Sequence, residues 1–215
     1  LFLAMPAHAQ PVQLGPVTVQ DTSERNALSH APASNILPVD SLQDTPQAVS
    51  VVDAVTMKQQ GTTSLGEALR NVPGITIAIG EGGTLAGDQF KIRGFDAKDD
   101  IYLDGLRDFA AYTRDSFNYE EVQVLKGPSG LMFGRGTTGG AINTVSKTPI
   151  LNDRFALAAE GGNGDHKRAT ADLNHAFSDT GAVRLNLMYT DTGVVDRDLT
   201  HSTRWGIAPA IALGL

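Results

Sequence analysis

From Glu121 to Lys147 the chain reads EVQVLKGPSGLMFGRGTTGGAINTVSK, and the glycines in that run leave little freedom about where the backbone can turn. Val122 and Val124 alternate with polar neighbours, as in a strand. Gly127-Pro128 makes a tight turn, and Ser129 to Phe133 fits one helical turn. Gly134, Gly136, Gly139 and Gly140 form a corner, and Ala141 to Ser146 is a second strand. The run predicts a compact α/β hairpin-like unit. Gly134, Gly136 and Gly139 also spell G-x-G-x-x-G, but a dinucleotide site needs a helix after that spacing. Here β-formers follow, so no helix N-terminus awaits a pyrophosphate. Nor is the run a Walker A loop, because Arg135 stands where lysine is required. The glycines are expected to supply positive φ and close packing.

The 215 residues suffice for one or two domains, and the absence of cysteine excludes disulfides and thiolate metal sites. A net charge of −7 argues against nucleic acid as a partner, since that role calls for a basic face. No stretch approaches the ~20 apolar residues of a transmembrane helix, whereas barrel strands of ~9–11 residues carry only a weak alternating signal.

Residues 1–9, LFLAMPAHA, end in the small-x-small pattern Ala7-His8-Ala9. They are expected to be the remnant of a secretory signal peptide, with Gln10 as the mature N-terminus. Residues 10–43 are polar and aperiodic apart from the β-forming island Val17-Thr18-Val19, and are expected to be flexible.

From residue 44 the pattern is that of a folded domain. Asp44-Thr45-Pro46 fits a turn, and the valines that follow fit a buried strand. Residues 54–60 read as helix. Thr63 or Ser64 caps a second helix, with Glu67 at capping-box spacing from Ser64; Leu65, Ala68 and Leu69 form its stripe and Pro73-Gly74 stops it. Ile75–Ile79, Phe90–Phe95 and Ile101–Gly105 read as strands, the last closed by an Asp-Gly turn. A glycine loop, Gly80 to Gly87, separates the first two. Together these predict a small mixed sheet with short helices over residues 44–149.

From Arg154 onward the period changes to two. Phe155, Leu157 and Ala159 form one apolar row. Ala169, Ala171, Leu173 and Phe177 alternate with Arg168, Thr170, Asp172 and Asn174. Val183, Leu185, Leu187 and Tyr189 alternate with Arg184, Asn186, Met188 and Thr190. A fourth run extends from Trp205 through Ile207 and Ile211 to Leu213. Ser178 to Gly181 is a tight turn between the second and third runs. The texture fits apolar-out, polar-in barrel strands, and a soluble sandwich shares the same period. Pro209 predicts a bulge or a strand end.

The run 121–147, the phrase DTPQAVSV at residues 44–51, the IRGF ending at Phe95 and YLDG at 102–105 resemble the plug domain of TonB-dependent outer-membrane receptors, in their siderophore branch. The resemblance implies an α+β plug domain followed by the first antiparallel strands, residues 150–215, of a transmembrane β-barrel of about 22 strands. On that reading the sequence is a fragment of a longer protein in the outer membrane of a Gram-negative bacterium. It implies import of a ferric siderophore, with iron carried in the cargo and no cofactor bound directly. The partners implied are TonB, with the ExbB-ExbD proton-motive complex, and outer-membrane lipids. Val17, Thr18 and Val19 become the TonB box, which adds to TonB as a strand. Arg93 and Lys126 are implied to pair with barrel glutamates. The same resemblance leaves room for another cargo, cobalamin or a glycan.

The residues predict no enzyme. The histidines at 8, 30, 166, 175 and 201 show no i, i+4 pair, Ser129 is not in a nucleophile elbow, and Asp99, Asp100 and Asp104 read as loop and turn carboxylates. The candidate ligand surface is the loop from Gly105 to Asn118. Arg107, Phe109, Tyr112 and Arg114, with Lys98 nearby, offer guanidinium forks and rings to a planar anion, and the wording resembles catecholate-type receptors. Against these bases stand Asp96, Asp99, Asp100, Asp104, Asp108 and Asp115, so residues 96–115 carry a net negative charge.

Overall fold

A computed structural model of the chain describes residues 47–78, 87–134, 137–194 and 197–215. The signal-peptide and TonB-box readings lie outside the described residues, as does the glycine loop apart from Gly87.

Residues 48–146 fold around a five-stranded mixed sheet. Its strands are β1 (Ala48–Asp53), β5 (Ile101–Leu103), β6 (Leu106–Arg107), β7 (Tyr119–Lys126) and β8 (Gly140–Ser146), in the order β1-β7-β8-β5-β6. Its β5–β8 pairing is parallel and the others are antiparallel. A three-stranded sheet of β2 (Ile75–Ile77), β3 (Phe90–Ile92) and β4 (Phe95–Asp96) lies beside it. The helices are short: α1 (Ala54–Gln59), α2 (Leu65–Leu69) and α3 (Gly130–Phe133). Met57 of α1 and Leu65, Ala68 and Leu69 of α2 are buried in one core with Phe90, Ile92, Ile101, Val122, Val124 and Ile142. Each fully buried Leu, Ile or Phe contributes ~1.5–3 kcal/mol of apolar burial.

Local sequence accounts for the element ends. The Ser64 hydroxyl accepts from the N–H of Glu67 at 3.3 Å, and the Glu67 carboxylate accepts from the N–H of Thr63 at 2.7 Å. The box therefore closes one residue before the cap. Phe90–Phe95, expected as a single strand, is a hairpin. Arg93 (φ 51°) and Gly94 (φ 88°) turn the chain between β3 and β4. Asp104 (φ 49°) and Gly105 (φ 81°) do the same between β5 and β6. Two consecutive positive-φ residues suit a two-residue hairpin loop.

The glycine corner serves packing. A Cβ on Gly139 would stand 2.7 Å from the Ile92 carbonyl oxygen and 2.7 Å from Phe95 Cβ, and one on Gly140 (φ 141°) would overlap the Leu125 carbonyl. Strand β8 begins at Gly140. A strand in that place, where a nucleotide loop requires a helix, removes the geometry of a pyrophosphate site.

Residues 154–213 form an antiparallel sheet of β9 (Arg154–Gly162), β10 (His166–Ser178), β11 (Gly181–Val194) and β12 (Arg197–Leu213), in the order β12-β11-β10-β9. Its burial is inverted relative to a soluble sandwich. Arg168, Asp172, Asn174, Arg184, Asn186 and Thr190 are buried on the face turned to the plug, Asn186 to 1 % exposure. Phe155, Leu157, Tyr189, Trp205, Ile207 and Ile211 are exposed on the other face, Trp205 at 74 %. Exposed apolar rows over a buried polar face are the arrangement of a transmembrane barrel wall.

Pro209 differs from expectation. The β11–β12 register runs through Leu185↔Pro209 unshifted, and the irregularity lies at Gly193/Val194. Strand β12 ends at Leu213, where Gly214 (φ 79°) donates to the Thr180 carbonyl at 2.7 Å, so the chain leaves the ladder before Leu215.

Candidate functional site

The loop from Asp108 to Asn118 joins β6 to β7 and sits between the plug sheet and strands β10–β12. Arg114 is its internal staple. The side chain is 3 % exposed; Nε lies 3.0 Å from Asp108 Oδ2 and Nη1 3.5 Å from Asp88 Oδ2. It also donates to the carbonyls of Asp108, Ala110 and Tyr112 at 3.2, 3.0 and 3.3 Å. The Tyr112 ring covers the guanidinium at 4.3 Å, and the Tyr112 hydroxyl donates to Asp108 at 2.7 Å. Burial pushes the Asp88 carboxyl above its ordinary value in spite of Arg114. For Asp108 burial works in the same direction, but the bonds from Tyr112 and Arg114 outweigh it and the pKa falls.

The predicted ligand residues are therefore not equivalent. Arg114 is turned inward and held by the loop's own carboxylates and carbonyls. Arg107 bonds the Tyr102 hydroxyl at 2.7 and 3.1 Å and reaches Asp100 at 3.5 Å, with the Tyr102 and Phe109 rings 5.3 and 5.8 Å away. Phe109 and Tyr112 present exposed ring surface. Lys98 is exposed on the β4–β5 connection, with its backbone N–H on Asp96. Tyr112 and Arg114 line a cavity of about 490 Å³ with Asp115, Phe117, Tyr119 and Ser146, closed on the barrel side by Met188, Arg204 and Gly206. Lys98, Arg107 and Phe109 are not among its lining residues.

The acidic balance of residues 96–115 also has a structural account. Asp96, Asp108 and Asp115 accept from the N–H groups of Lys98, Ala110 and Phe117, two residues on in each case. Asp104 accepts from the N–H of Ser146. Asp96, Asp108 and Asp115 thus cap turns, as aspartates in loops commonly do, and Asp104 bridges to β8.

Arg93 and Lys126 stand together at the far end of β7. Arg93 is exposed in the β3–β4 turn with Nη1 close to Gly127, and Lys126 Nζ is 2.9 Å from the Ser50 hydroxyl. Burial, then the nearby charge of Arg93, lowers the Lys126 pKa. No carboxylate pairs with either base among the described residues.

The plug–barrel contacts that are present fall on residues outside those expectations. Arg168 of β10 makes a bidentate pair with Asp115, at 2.7 and 2.6 Å. Asp172 of β10 binds Arg184 of β11 at 2.8 and 2.9 Å and Lys147 at 3.3 Å, and Arg184 reaches Glu120 at 3.6 Å. Phe117 fills the space over Gly206, where a Cβ would stand 2.7 Å from the ring. The signal for these was in the sequence: charged residues at the polar positions of an alternating barrel strand must face water or the plug.

A plug-like α+β domain seated against the polar face of an inside-out β-sheet defines a plugged-barrel architecture. Residues 41–141 match the model of the TonB-dependent Receptor Plug Domain. The catecholate siderophore receptor Fiu of Escherichia coli K12 is 41 % identical over 174 residues, covering 80 % of this chain and 23 % of Fiu. The probable TonB-dependent receptor BfrD of Bordetella pertussis is 40 % identical over 218 residues, covering 100 % of this chain and 29 % of BfrD. The closed-form crystal structure of the E. coli ferric-catecholate import receptor Fiu superposes with a TM-score of 0.81 at 39 % identity, over 87 % of this chain and 27 % of that one. The chain belongs to the TonB-dependent receptors, as a plug domain with the first strands of the barrel. It spans about a quarter of the length of these relatives, which are named as receptors rather than enzymes.

Proposed function

We propose that the protein of which this chain forms the plug and first barrel strands is an outer-membrane receptor importing a ferric siderophore, of catecholate type, by TonB-coupled energy. The observation that carries the reading is the inverted sheet: its polar face is buried against the plug while its apolar face is left for lipid. Fiu, a catecholate siderophore receptor by name, supports the cargo class. The exposed rings of Phe109 and Tyr112 above a loop held by Arg114 suit a planar aromatic anion.

In this reading the plug blocks the barrel until TonB, driven by ExbB-ExbD, engages Val17, Thr18 and Val19 as an added strand. Arg93 and Lys126, paired with nothing acidic among the described residues, receive carboxylates from further barrel strands. The chain performs binding and gating rather than covalent chemistry. The test is iron uptake by cells carrying the full-length receptor. Thr18→Pro removes a ladder donor and fixes φ, so it should abolish TonB-dependent uptake of an iron(III) tris-catecholate complex while surface binding persists. Unimpaired uptake would remove the TonB-box assignment, and uptake of cobalamin or a glycan instead would replace the cargo.

A further inference from the structure

We infer that Arg204, on the plug-facing side of β12, is the barrel-wall cation that binds anionic cargo in the cavity above the plug loop. The inference rests on the ferric-siderophore reading and adds to it a residue of the barrel. The plug's own loop arginines are committed elsewhere: Arg114 to Asp88, Asp108 and three carbonyls, Arg107 to Tyr102 and Asp100. Arg204 stands opposite Thr190 in the ladder and lines the cavity shared by Tyr112, Phe117 and Ser146. Its side chain is 35 % exposed, and its ion-pair partner among the described residues is Asp115 at 3.9 Å. That carboxylate already has both oxygens engaged by Arg168 at 2.6 and 2.7 Å. Two guanidiniums thus share one carboxylate, while Arg114 holds both Asp88 and Asp108, so the charges around the cavity balance and Arg204, at 3.9 Å, is the most loosely held of the three guanidiniums.

A loosely paired guanidinium in a cavity that also presents an aromatic ring is suited to a planar oxyanion. Its fork matches paired oxygens, and it gives up water more readily than an ammonium. The ring is that of Tyr112, in the same cavity. The ligand class is therefore an anionic chelate with clustered phenolate or carboxylate oxygens, and a neutral chelate of the same size gains nothing from Arg204.

The experiment uses the purified full-length receptor and two iron(III) probes: the trianionic tris-catecholate and the neutral tris-acetohydroxamate. Arg204→Gln should weaken the trianion about tenfold or more, the range of a charge-assisted hydrogen bond, and flatten its salt dependence. The hydroxamate affinity and the melting temperature of the unliganded receptor should not change. Arg204→Lys keeps the charge and should restore part of the loss, and it answers the question on its own should Arg204→Gln fail to fold. Wild-type binding of the trianion that is indifferent to both substitutions overturns the role of Arg204 and leaves the cargo class standing. Equal weakening of both probes also overturns it, by making Arg204 structural. Failure of the wild type to bind the trianion overturns the cargo reading and this inference together.

Discussion

Arg168 of barrel strand β10 places both terminal guanidinium nitrogens on the two carboxylate oxygens of plug residue Asp115, and the pair is all but closed to solvent at 5 and 7 % exposure. A desolvated pair of this geometry is asymmetric in its consequences: removing one partner leaves the other charge buried.

Arg168→Ala is accordingly expected to cost ~3–5 kcal/mol of plug–barrel stability, and the double substitution with Asp115→Ala less than the sum of the single ones. Denaturant unfolding of the full-length receptor, followed by a probe on the plug, measures it. A loss below ~0.5 kcal/mol would mean that Asp115 finds another partner, Arg204 being the nearest.

Glu121 predicts a pH dependence. It is buried beside Gln123, whose amide donates to it at 2.5 Å, and burial raises its pKa above the ordinary 4.5. A raised carboxylate pKa means that the folded plug holds the proton more tightly than the unfolded chain. The stabilisation is complete below 4.5 and is lost as pH rises through the folded value. Glu121→Gln should therefore stabilise the plug at neutral pH and flatten its stability between 4.5 and neutrality. Unchanged slopes in denaturation midpoints over that window would count against it.

These contrasts show which parts are legible in the sequence. The Ser64 cap, the turn after Ser178 and the strands of the alternating runs are readable because a few adjacent residues decide them. The β3–β4 hairpin escapes such a reading because Arg93 occupies a positive φ that Gly, Asn or Asp usually signals. The role of Arg114 cannot be read from its own loop, since Asp88 lies 26 residues away. Periodicity separates the two faces of the barrel strands, but only the packed plug shows that the polar face is the buried one. Arg168, Asp172 and Arg184 are legible as polar-face residues from their alternation, and as plug contacts only from the packed structure.

Gly206 and Phe117 make a steric fit between barrel and plug. Any Cβ at Gly206 meets the Phe117 ring at 2.7–2.8 Å. Gly206→Val should cost ~1–3 kcal/mol by overpacking, and Phe117→Leu should recover part of that loss in combination. Thermal unfolding of the single and double variants is sufficient. Additive effects would show that the ring moves aside freely.

Arg114 and Tyr112 should separate under mutation, because the first is a buried side chain that holds the loop together and the second presents an exposed ring. Arg114→Ala strands the buried carboxylate of Asp88 and frees three carbonyls, a loss of ~3–5 kcal/mol by the same asymmetry as above. The loop then loses the geometry that presents Tyr112, so binding of anionic and neutral chelates should fall together. Tyr112→Ala removes the ring from one side of the cavity and one hydrogen bond to Asp108. It should weaken an aromatic chelate by ~0.5–2 kcal/mol with little change in stability. Amide hydrogen exchange across residues 108–115 distinguishes the two, with protection lost in Arg114→Ala and largely kept in Tyr112→Ala. Retained protection in Arg114→Ala, combined with a loss confined to the anionic chelate, would return Arg114 to the ligand-contacting role its sequence suggests and take the staple away from it.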